Sequence, residues 1–459
     1  MRSVAIVWLA VLLQGCAWVE EQKQLKRRED AETQFVEAVG SSPLPIVRAS
    51  LEQDRTLANA FRMVWGRKRS YRAETALTMA TTHRRRDMME LLLAFGADPN
   101  LPQADGESPL SLALGLDKDR ADKVALLLEK GADPEKVFAH GSALHRAASI
   151  NTAASRVVFP LLLAKAAGVG SPDRNGWTPL HSAASSANPT VIRLLVEKGA
   201  DVDVRTTAPR PGEGRSDEVA GTTPLSIVAR DRQIAGAATL CALGADPDLP
   251  DSTGASARQV AAQVAAKEAA KEAARGSSGS SDVIRHRNMA AFLAKGAECD
   301  ALRARRRGGE KVPEAEVLRI ANLSECETGW GWACGQAGWA YYQGEGAREN
   351  DERALELFRQ GCEKSMTKDE WCCGMAGILH AEGTGVPKDP VEGARWLAKG
   401  CETPDPKRAD EQSCNRLGLL YVAGDGVPKD LSRARSYFKR ACDQKYQEAC
   451  DNLAKHSGG

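Results

Sequence analysis

The chain has no excess of charge of either sign: 62 Lys and Arg stand against 61 Asp and Glu over 459 residues, a net +1. No overall field would therefore drive it onto nucleic acid or an anionic bilayer. Aromatic residues are scarce, at 5%, and they are unevenly placed. Five of nine tryptophans (330, 332, 339, 371, 396) and five of six tyrosines lie after residue 329. Clustered metal ligands are also missing. The seven histidines are scattered at 83, 140, 145, 181, 286, 380 and 456, with no His-Glu-x-x-His or Cys-x-x-Cys arrangement. There is no phosphate-binding Walker loop and no Gly-x-Ser-x-Gly nucleophile elbow. No metal and no cofactor are expected. What is present is an ordinary foldable composition, 42% hydrophobic and 27% charged, long enough for about three domains by length alone. The twelve cysteines, mostly at regular intervals near the C-terminus, are the informative number.

The N-terminus reads as export chemistry. Arg2 precedes an apolar run from Val4 to Leu13, followed by Gln14-Gly15-Cys16. Ten apolar residues rise about 15 Å as a helix, half of a bilayer core, so a processed signal fits better than a permanent span. Beyond Cys16 no apolar stretch is long enough to cross a membrane. Leu13-Gln14-Gly15-Cys16 resembles the lipobox of bacterial lipoproteins, with Gln14 a less usual choice at its position. The resemblance implies removal of residues 1–15 and lipidation of Cys16, whose acyl chains would anchor the protein. Ala17 in place of Asp implies the outer membrane, with the chain facing the periplasm or the cell surface. Residues 17–43, strongly charged from Glu20 to Ala38, are expected to form a tether or short helix.

From about 44 to 300 the sequence repeats. Gly-Ala-Asp recurs at 96–98, 131–133, 199–201 and 244–246, with Gly-Ala-Glu at 296–298 and a degenerate Ala167-Gly168-Val169. About 21 residues before each lies a Thr/Ser-x-Leu start: Thr75-Ala76-Leu77, Ser108-Pro109-Leu110, Ser142-Ala143-Leu144, Thr178-Pro179-Leu180 and Thr223-Pro224-Leu225. The pattern resembles the ankyrin repeat, and the last unit departs from it with Ser256-Ala257-Arg258. Thr or Ser before Pro is an N-cap followed by the one helical position where Pro costs nothing. A second helix, as in Val191 to Val196, ends at a glycine suited to a left-handed C-cap. Asp105-Gly106 and Asn175-Gly176 mark tight turns between units. His145 and His181 stand where ankyrin histidines bond the backbone between repeats. Insertions fall near 206–220, as an irregular loop, and near 260–281. There Val260 to Arg275 is expected to extend a helix into solvent, ending in a flexible Gly276 to Ser281.

A linker is expected at 301–312, containing Arg303 to Lys311. From 313 to 459 the period changes. Gly-x-Gly occurs at 344/346, 383/385 and 424/426, each preceded by Gly and an apolar or aromatic residue and followed by a capping Asp or Asn. This resembles the Sel-one-like repeat, a relative of the tetratricopeptide repeat built of antiparallel helix pairs. The fold class expected is all-α, two α-solenoids in succession. Each interval between units carries two cysteines: Cys326/Cys334, Cys362/Cys373, Cys401/Cys414 and Cys442/Cys450. One ends a helix and the other starts the next antiparallel helix, so they can reach disulfide distance across the corner. Such pairing resembles the cysteine-rich exported members of the repeat family and suits an oxidising compartment. With Cys16 and these eight set aside, three cysteines remain. Cys241 is expected to be a small buried hydrophobe. Cys299 and Cys372 are expected to be inert thiols, with a reactive thiol or an intermolecular bridge as the alternative.

Both resemblances imply a scaffold that binds protein or peptide partners through concave repeat surfaces and is held to the membrane by its lipid anchor. Trp330, Trp332 and Trp371 are the candidate partner contacts, because aromatic side chains carry much of the energy at binding hot spots. The basic runs Arg67-Lys68-Arg69 and Arg84-Arg85-Arg86 read as solvated faces, and no nucleic acid is expected. The alternative is a hydrolase. Some cysteine-rich Sel-one-like proteins carry a β-lactamase or penicillin-binding label, and Ser365-Met366-Thr367-Lys368 matches Ser-x-x-Lys. Its companion Ser-Asp-Asn and Lys-Thr-Gly elements are absent, so no catalytic residue is assigned.

Overall fold

The structure, a computed structural model, describes residues 2–65, 71–83, 85–104, 106–115, 120–138, 141–150, 153–208, 219–274, 281–294, 297–327, 329–363 and 369–456. The chain divides into two compact units, Met1–Thr222 and Thr223–Gly459. The division does not follow the change of repeat type, because the last ankyrin-like pairs fold with the second array.

The first unit opens with α1 (Arg2–Ser41) and α2 (Leu44–Gln53), a 3-10 turn at Arg55–Asn59, and the strands β1 (Phe61–Trp65) and β2 (Tyr71–Thr75). Four helix pairs follow: α3 (Ala76–Thr82) with α4 (Arg86–Ala94), α5 (Pro109–Leu114) with α6 (Arg120–Glu129), α7 (Ala143–Ala148) with α8 (Ala153–Lys165), and α9 (Pro179–Ser185) with α10 (Pro189–Glu197). Each first helix starts where the Thr/Ser signal places it. The Thr75 hydroxyl accepts from the Thr78 amide and the Ser108 hydroxyl from the Ser111 amide, both at 3.1 Å. Leu77, Leu110, Leu144 and Leu180 follow those caps and are fully buried. First helices pack on first helices, α3 on α5, α5 on α7 and α7 on α9, so each pair covers a face its neighbour cannot cover alone.

Side chains also tie successive turns together. Asn59 donates to the Gly96 carbonyl at 3.1 Å and accepts from the Asp98 amide at 2.7 Å; one repeat later Asn100 does the same with Gly131 and Asp133, at 3.0 and 2.7 Å. These bonds hold the Gly-Ala-Asp turns, whose glycines need the left-handed region; Gly96 has φ +93°. His145 and His181 join repeats in the same way. The Thr178 amide donates to His181 Nδ1 at 3.1 Å, so Nε2 carries the proton and donates to the Thr222 carbonyl at 3.2 Å. His145 accepts from the Ser142 amide and donates to the Trp177 carbonyl at 2.9 Å.

The expected boundary at 43/44 is corrected. The end of the charged segment is no tether: within α1, Phe35, Val36 and Val39 are buried, as are Val47 and Leu51 in α2. α1 packs on α3 and α2 on α4, so these helices form a terminal pair that closes the stack. Arg85 reinforces it by donating to the carbonyls of Val39 and Ser42. The fold is all-α as expected, apart from one short β-hairpin among the described residues. The hairpin pairs Phe61 with Thr75 through Trp65 with Tyr71, too short an alternation to stand out in sequence. The insertion near 206–220 closes at its stem, where Thr206 and Thr222 are bonded backbone to backbone; residues 209–218 lie outside the described set.

The second unit starts with α11 (Pro224–Arg230) and α12 (Ile234–Ala242), then α13 (Ala257–Ala274), α14 (Ser281–Leu293) and α15 (Glu298–Arg307). Here two further expectations are corrected. The alanine-rich extension of α13 does not project alone: α14 packs along it and Ala265 is buried, while most residues from Ala266 to Ala274 stay exposed. The connecting residues 275–280 lie outside the described set. The linker expected at 301–312 begins as α15, which packs on α12 with Cys299 and Leu302 buried. Its arginines are paired, Arg303 with Asp246 at 3.0 Å and Arg305 with Glu316 at 2.7 Å.

The second array comprises α16 (Glu314–Glu327), α17 (Gly331–Gln343) with α18 (Asp351–Glu363), α19 (Glu370–Glu382) with α20 (Pro390–Cys401), a 3-10 turn at Pro406–Arg408, α21 (Glu411–Ala423) with α22 (Leu431–Asp443), and α23 (Gln447–Lys455). Paired helices approach closely at glycine. A Cβ on Gly377 would lie 2.7 Å from Leu397, so only glycine lets α19 and α20 meet there. The second glycine of each Gly-x-Gly is required for a like reason, since a Cβ on Gly385 would stand 2.6 Å from the backbone of Asp351 at the start of α18.

Burial lowers the pKa of His181 to about 4, against the opposing effect of its bonds to the Thr222 and Val204 backbones. The folded ring therefore binds a proton later than the unfolded one, and its contribution to stability is present above about pH 6.5 and lost as pH falls toward 4. The full effect is about 3 kcal/mol. Urea unfolding at pH 7.5 and 4.5 should show this loss in the wild type relative to His181→Gln; equal pH dependence in the two proteins would refute it.

Candidate functional site

The helix corners of the second array bring the expected cysteines together. Cα–Cα distances are 4.5 Å for Cys326–Cys334, 4.9 Å for Cys362–Cys373, 4.8 Å for Cys401–Cys414 and 4.7 Å for Cys442–Cys450, each with its sulfurs bonded. The reading of Cys241 and Cys299 as unpaired is corrected. They form a fifth disulfide with Cα–Cα 5.2 Å, joining the end of α12 to the start of α15 across 58 residues. No local spacing announces this bond, because its partners meet only when α15 docks on α12. The one signal was parity: three cysteines left over is an odd number. Cys372 is free and buried. Its Sγ donates to the Gly331 carbonyl at 3.5 Å, and burial, aided by Asp369, pushes its pKa up, which suppresses the reactive thiolate. The side chain of Cys16 lies outside the described residues.

The three candidate tryptophans separate. Trp330 is corrected as an exposed contact: it is half-buried at the N-cap position of α17, and the Arg285 guanidinium of α14 covers its ring at 4.1 Å. It fastens the last ankyrin-like helices to the second array. Trp371 is half-buried, its ring edge-on to Phe358 at 5.6 Å and tilted against Trp339 at 5.8 Å. Trp332 remains 59% exposed. Trp332 and Trp371 line one groove of about 470 Å³ together with Asp369, Asp410, Glu411 and Arg408. Asp369 and Asp410 are the N-caps of α19 and α21, and accept from the amides of Cys372 at 3.0 Å and Ser413 at 2.7 Å. Burial raises the pKa of Asp410 to about 6, opposed by the hydroxyl and amide bonds of Ser413 and aided by Glu411 and Asp369. Arg408 is 3.3 Å from Glu370 on the rim.

The first unit has its own cleft, about 460 Å³, on the first-helix side of the repeats. Glu107, Ser111, His145, Arg146, Asp173 and Ser182 contribute to its lining, and Arg146 pairs with Glu107 at 2.8 Å. The cleft is thus polar and hydroxyl-rich where the groove of the second unit is aromatic. Of the basic runs, Arg86 pairs with Glu90 at 3.0 Å, while residues 67–69 and 84 lie outside the described set, as do residues 365–368 of the Ser-x-x-Lys match. Among the described residues no group of three His, Cys, Asp or Glu side chains could hold a metal, and no helix is long and apolar enough to cross a membrane.

Comparison with known proteins agrees with the division into arrays. The family described as Ankyrin repeats (3 copies) matches residues 136–206, and Sel1 repeat matches 333–366, 372–402 and 411–446. Alpha-latrotoxin-Lt1a of Latrodectus tredecimguttatus is 34% identical over 70 residues, 15% of this chain and 5% of the toxin. The nuclear factor NF-kappa-B p105 subunit of Gallus gallus is 32% identical over 176 residues, 38% of this chain and 17% of that protein. The matches thus span a small part of either relative. Among solved structures, the Bcl-3 ankyrin repeat domain aligns with 49% of this chain and 87% of its own at 22% identity and TM-score 0.35. A Sel1 repeat protein from Oxalobacter formigenes aligns with 30% of this chain and 96% of its own at 24% identity and TM-score 0.26. The chain thus carries a segment matching ankyrin repeats followed by segments matching Sel1 repeats.

The cysteine pairing makes a countable prediction. A Cys16→Ser chain unfolded without reductant should alkylate at one residue, Cys372, and at none when native; labelling of Cys241 and Cys299 would refute the fifth bond. Closing a 58-residue loop is worth about 4 kcal/mol in the chain-entropy account, against about 2–3 kcal/mol for the eight-residue loops. The double variant Cys241→Ala/Cys299→Ala should accordingly lower the denaturation midpoint more than Cys442→Ala/Cys450→Ala.

Proposed function

We propose that this chain of ankyrin repeats followed by Sel1 repeats is a membrane-anchored, exported scaffold that binds protein or peptide partners and performs no catalysis of its own. The observation that carries the reading is the pair of open surfaces built by stacked helix pairs: a polar cleft on the first array and an aromatic groove on the second. Stacked repeats present extended faces to partners, and an exposed indole such as Trp332 is the type of side chain that dominates binding energy.

Export is supported by the cysteine chemistry. Five disulfides form and persist only where thiols are not kept reduced, as in the periplasm or at the cell surface. The apolar run Val4 to Leu13 before Cys16 supplies an export signal and a lipidation cysteine. Outer-membrane placement follows from Ala17 after the lipidated residue. A long exposed stretch of α1, from Glu21 to Asp30, would stand between the anchor and the first packed residues of the stack, clearing the binding surfaces from the headgroups.

Expressed in a bacterium, the wild-type chain should incorporate radiolabelled palmitate and sediment with membranes. Cys16→Ser should lose both properties while keeping its disulfides; membrane association unchanged by that substitution would overturn the anchor. Crosslinking in intact cells, read by mass spectrometry, should capture a dominant envelope protein, reduced by Trp332→Ala. Nitrocefin turnover by the pure chain, lost in Ser365→Ala, would instead establish a hydrolase.

A further inference from the structure

The groove beside Trp332 has a composition that selects its occupant. Its two aromatic walls differ in support: Trp371 is held by Phe358 and Trp339, whereas Trp332 offers an open indole face. Elsewhere in the same unit, indole faces already carry a cation. Arg285 lies over Trp330 at 4.1 Å, and Lys399 over Trp396 at 3.9 Å. Among the described residues no cation lies over Trp332. The charges around it are unbalanced as well. Asp369, Asp410 and Glu411 face Lys407, because Arg408 is engaged with Glu370 at 3.3 Å. Asp410 is partly buried, so its charge is poorly compensated by water.

A cation entering the groove would meet two favourable terms together: the negative face of an indole and carboxylates partly withdrawn from solvent. An acidic side chain would meet repulsion, and a neutral apolar one would leave the carboxylates further desolvated. We propose that this groove receives an arginine or lysine side chain from an extended basic segment of a partner protein, seated over Trp332 and facing Asp369, Asp410 and Glu411. The assignment rests on the scaffold reading and adds to it the chemistry of the partner.

The test uses the full chain in detergent micelles and two fluorescein-labelled nonapeptides, Gly-Arg-Ser-Arg-Leu-Arg-Ser-Arg-Gly and the same sequence with Glu at each Arg. Fluorescence anisotropy should show binding of the basic peptide alone. Trp332→Ala should weaken it roughly tenfold, as expected for a partly desolvated cation–π contact, and Trp332→Phe less. Glu411→Lys, a change at the groove rim, should weaken it at least as much, with circular dichroism and thiol count unchanged in all variants. Equal binding of the acidic peptide, absence of binding, or basic-peptide binding indifferent to both Trp332→Ala and Glu411→Lys would overturn the proposal. A random peptide library panned on the same protein separates the two readings. Binders without basic residues, insensitive to Trp332→Ala, would remove the groove assignment and keep the scaffold. A library returning no binder would remove both.

Discussion

No helix pair in this chain can cover its own apolar face, and the stacking that covers it governs the rest of the structure. The first helices of the ankyrin array are six to seven residues long from α3 through α9, far too short to persist alone in water. They persist because Leu77, Leu110, Leu144 and Leu180 are sealed by neighbouring pairs, with Thr75 and Ser108 capping α3 and α5 and the histidines of α7 and α9 accepting from the Ser142 and Thr178 amides. The same need explains the ends. A stack requires closing helices, and the terminus of α1 with α2 provides them in the first unit by burying Phe35, Val36, Val39, Val47 and Leu51.

In the second unit stacking is supplemented by covalent bonds. Short disulfide loops tie the corner between each helix pair and the next, where the chain would otherwise fray. The Cys241–Cys299 bond does something different, because it fixes α15 against α12 and encloses the whole α13–α14 hairpin. Together with Arg285 over Trp330 and Arg305 on Glu316, it makes the end of the ankyrin-like helices and the beginning of the Sel1 helices one packed body. Cys372, buried beside the Cys362–Cys373 bond, stays a thiol because burial disfavours its thiolate.

The groove at Trp332 lies at these tied corners. Its walls come from the start of α17, the start of α19, the 3-10 turn and the start of α21, segments held in register by the disulfides beside them. Rigid support matters for binding, since a preformed surface loses less conformational freedom when a partner arrives. The N-cap roles of Asp369 and Asp410 contribute in the same sense, because a backbone amide fixes the position of each carboxylate.

Periodicity in the sequence determined both repeat types, the helix starts and the four corner disulfides, because each depends on residues near one another along the chain. Thr or Ser before Pro caps the helix it precedes, and cysteines eight to thirteen apart span one corner. Features that depend on how helices dock were not readable in that way. The packing of α1, the docking of α14 along α13, the conversion of a supposed linker into α15, and the meeting of Cys241 with Cys299 are set by surfaces far apart in sequence. The three tryptophans state the difference plainly. They are alike as letters, but docking places Arg285 over Trp330, sets Phe358 and Trp339 against Trp371, and leaves Trp332 open to solvent.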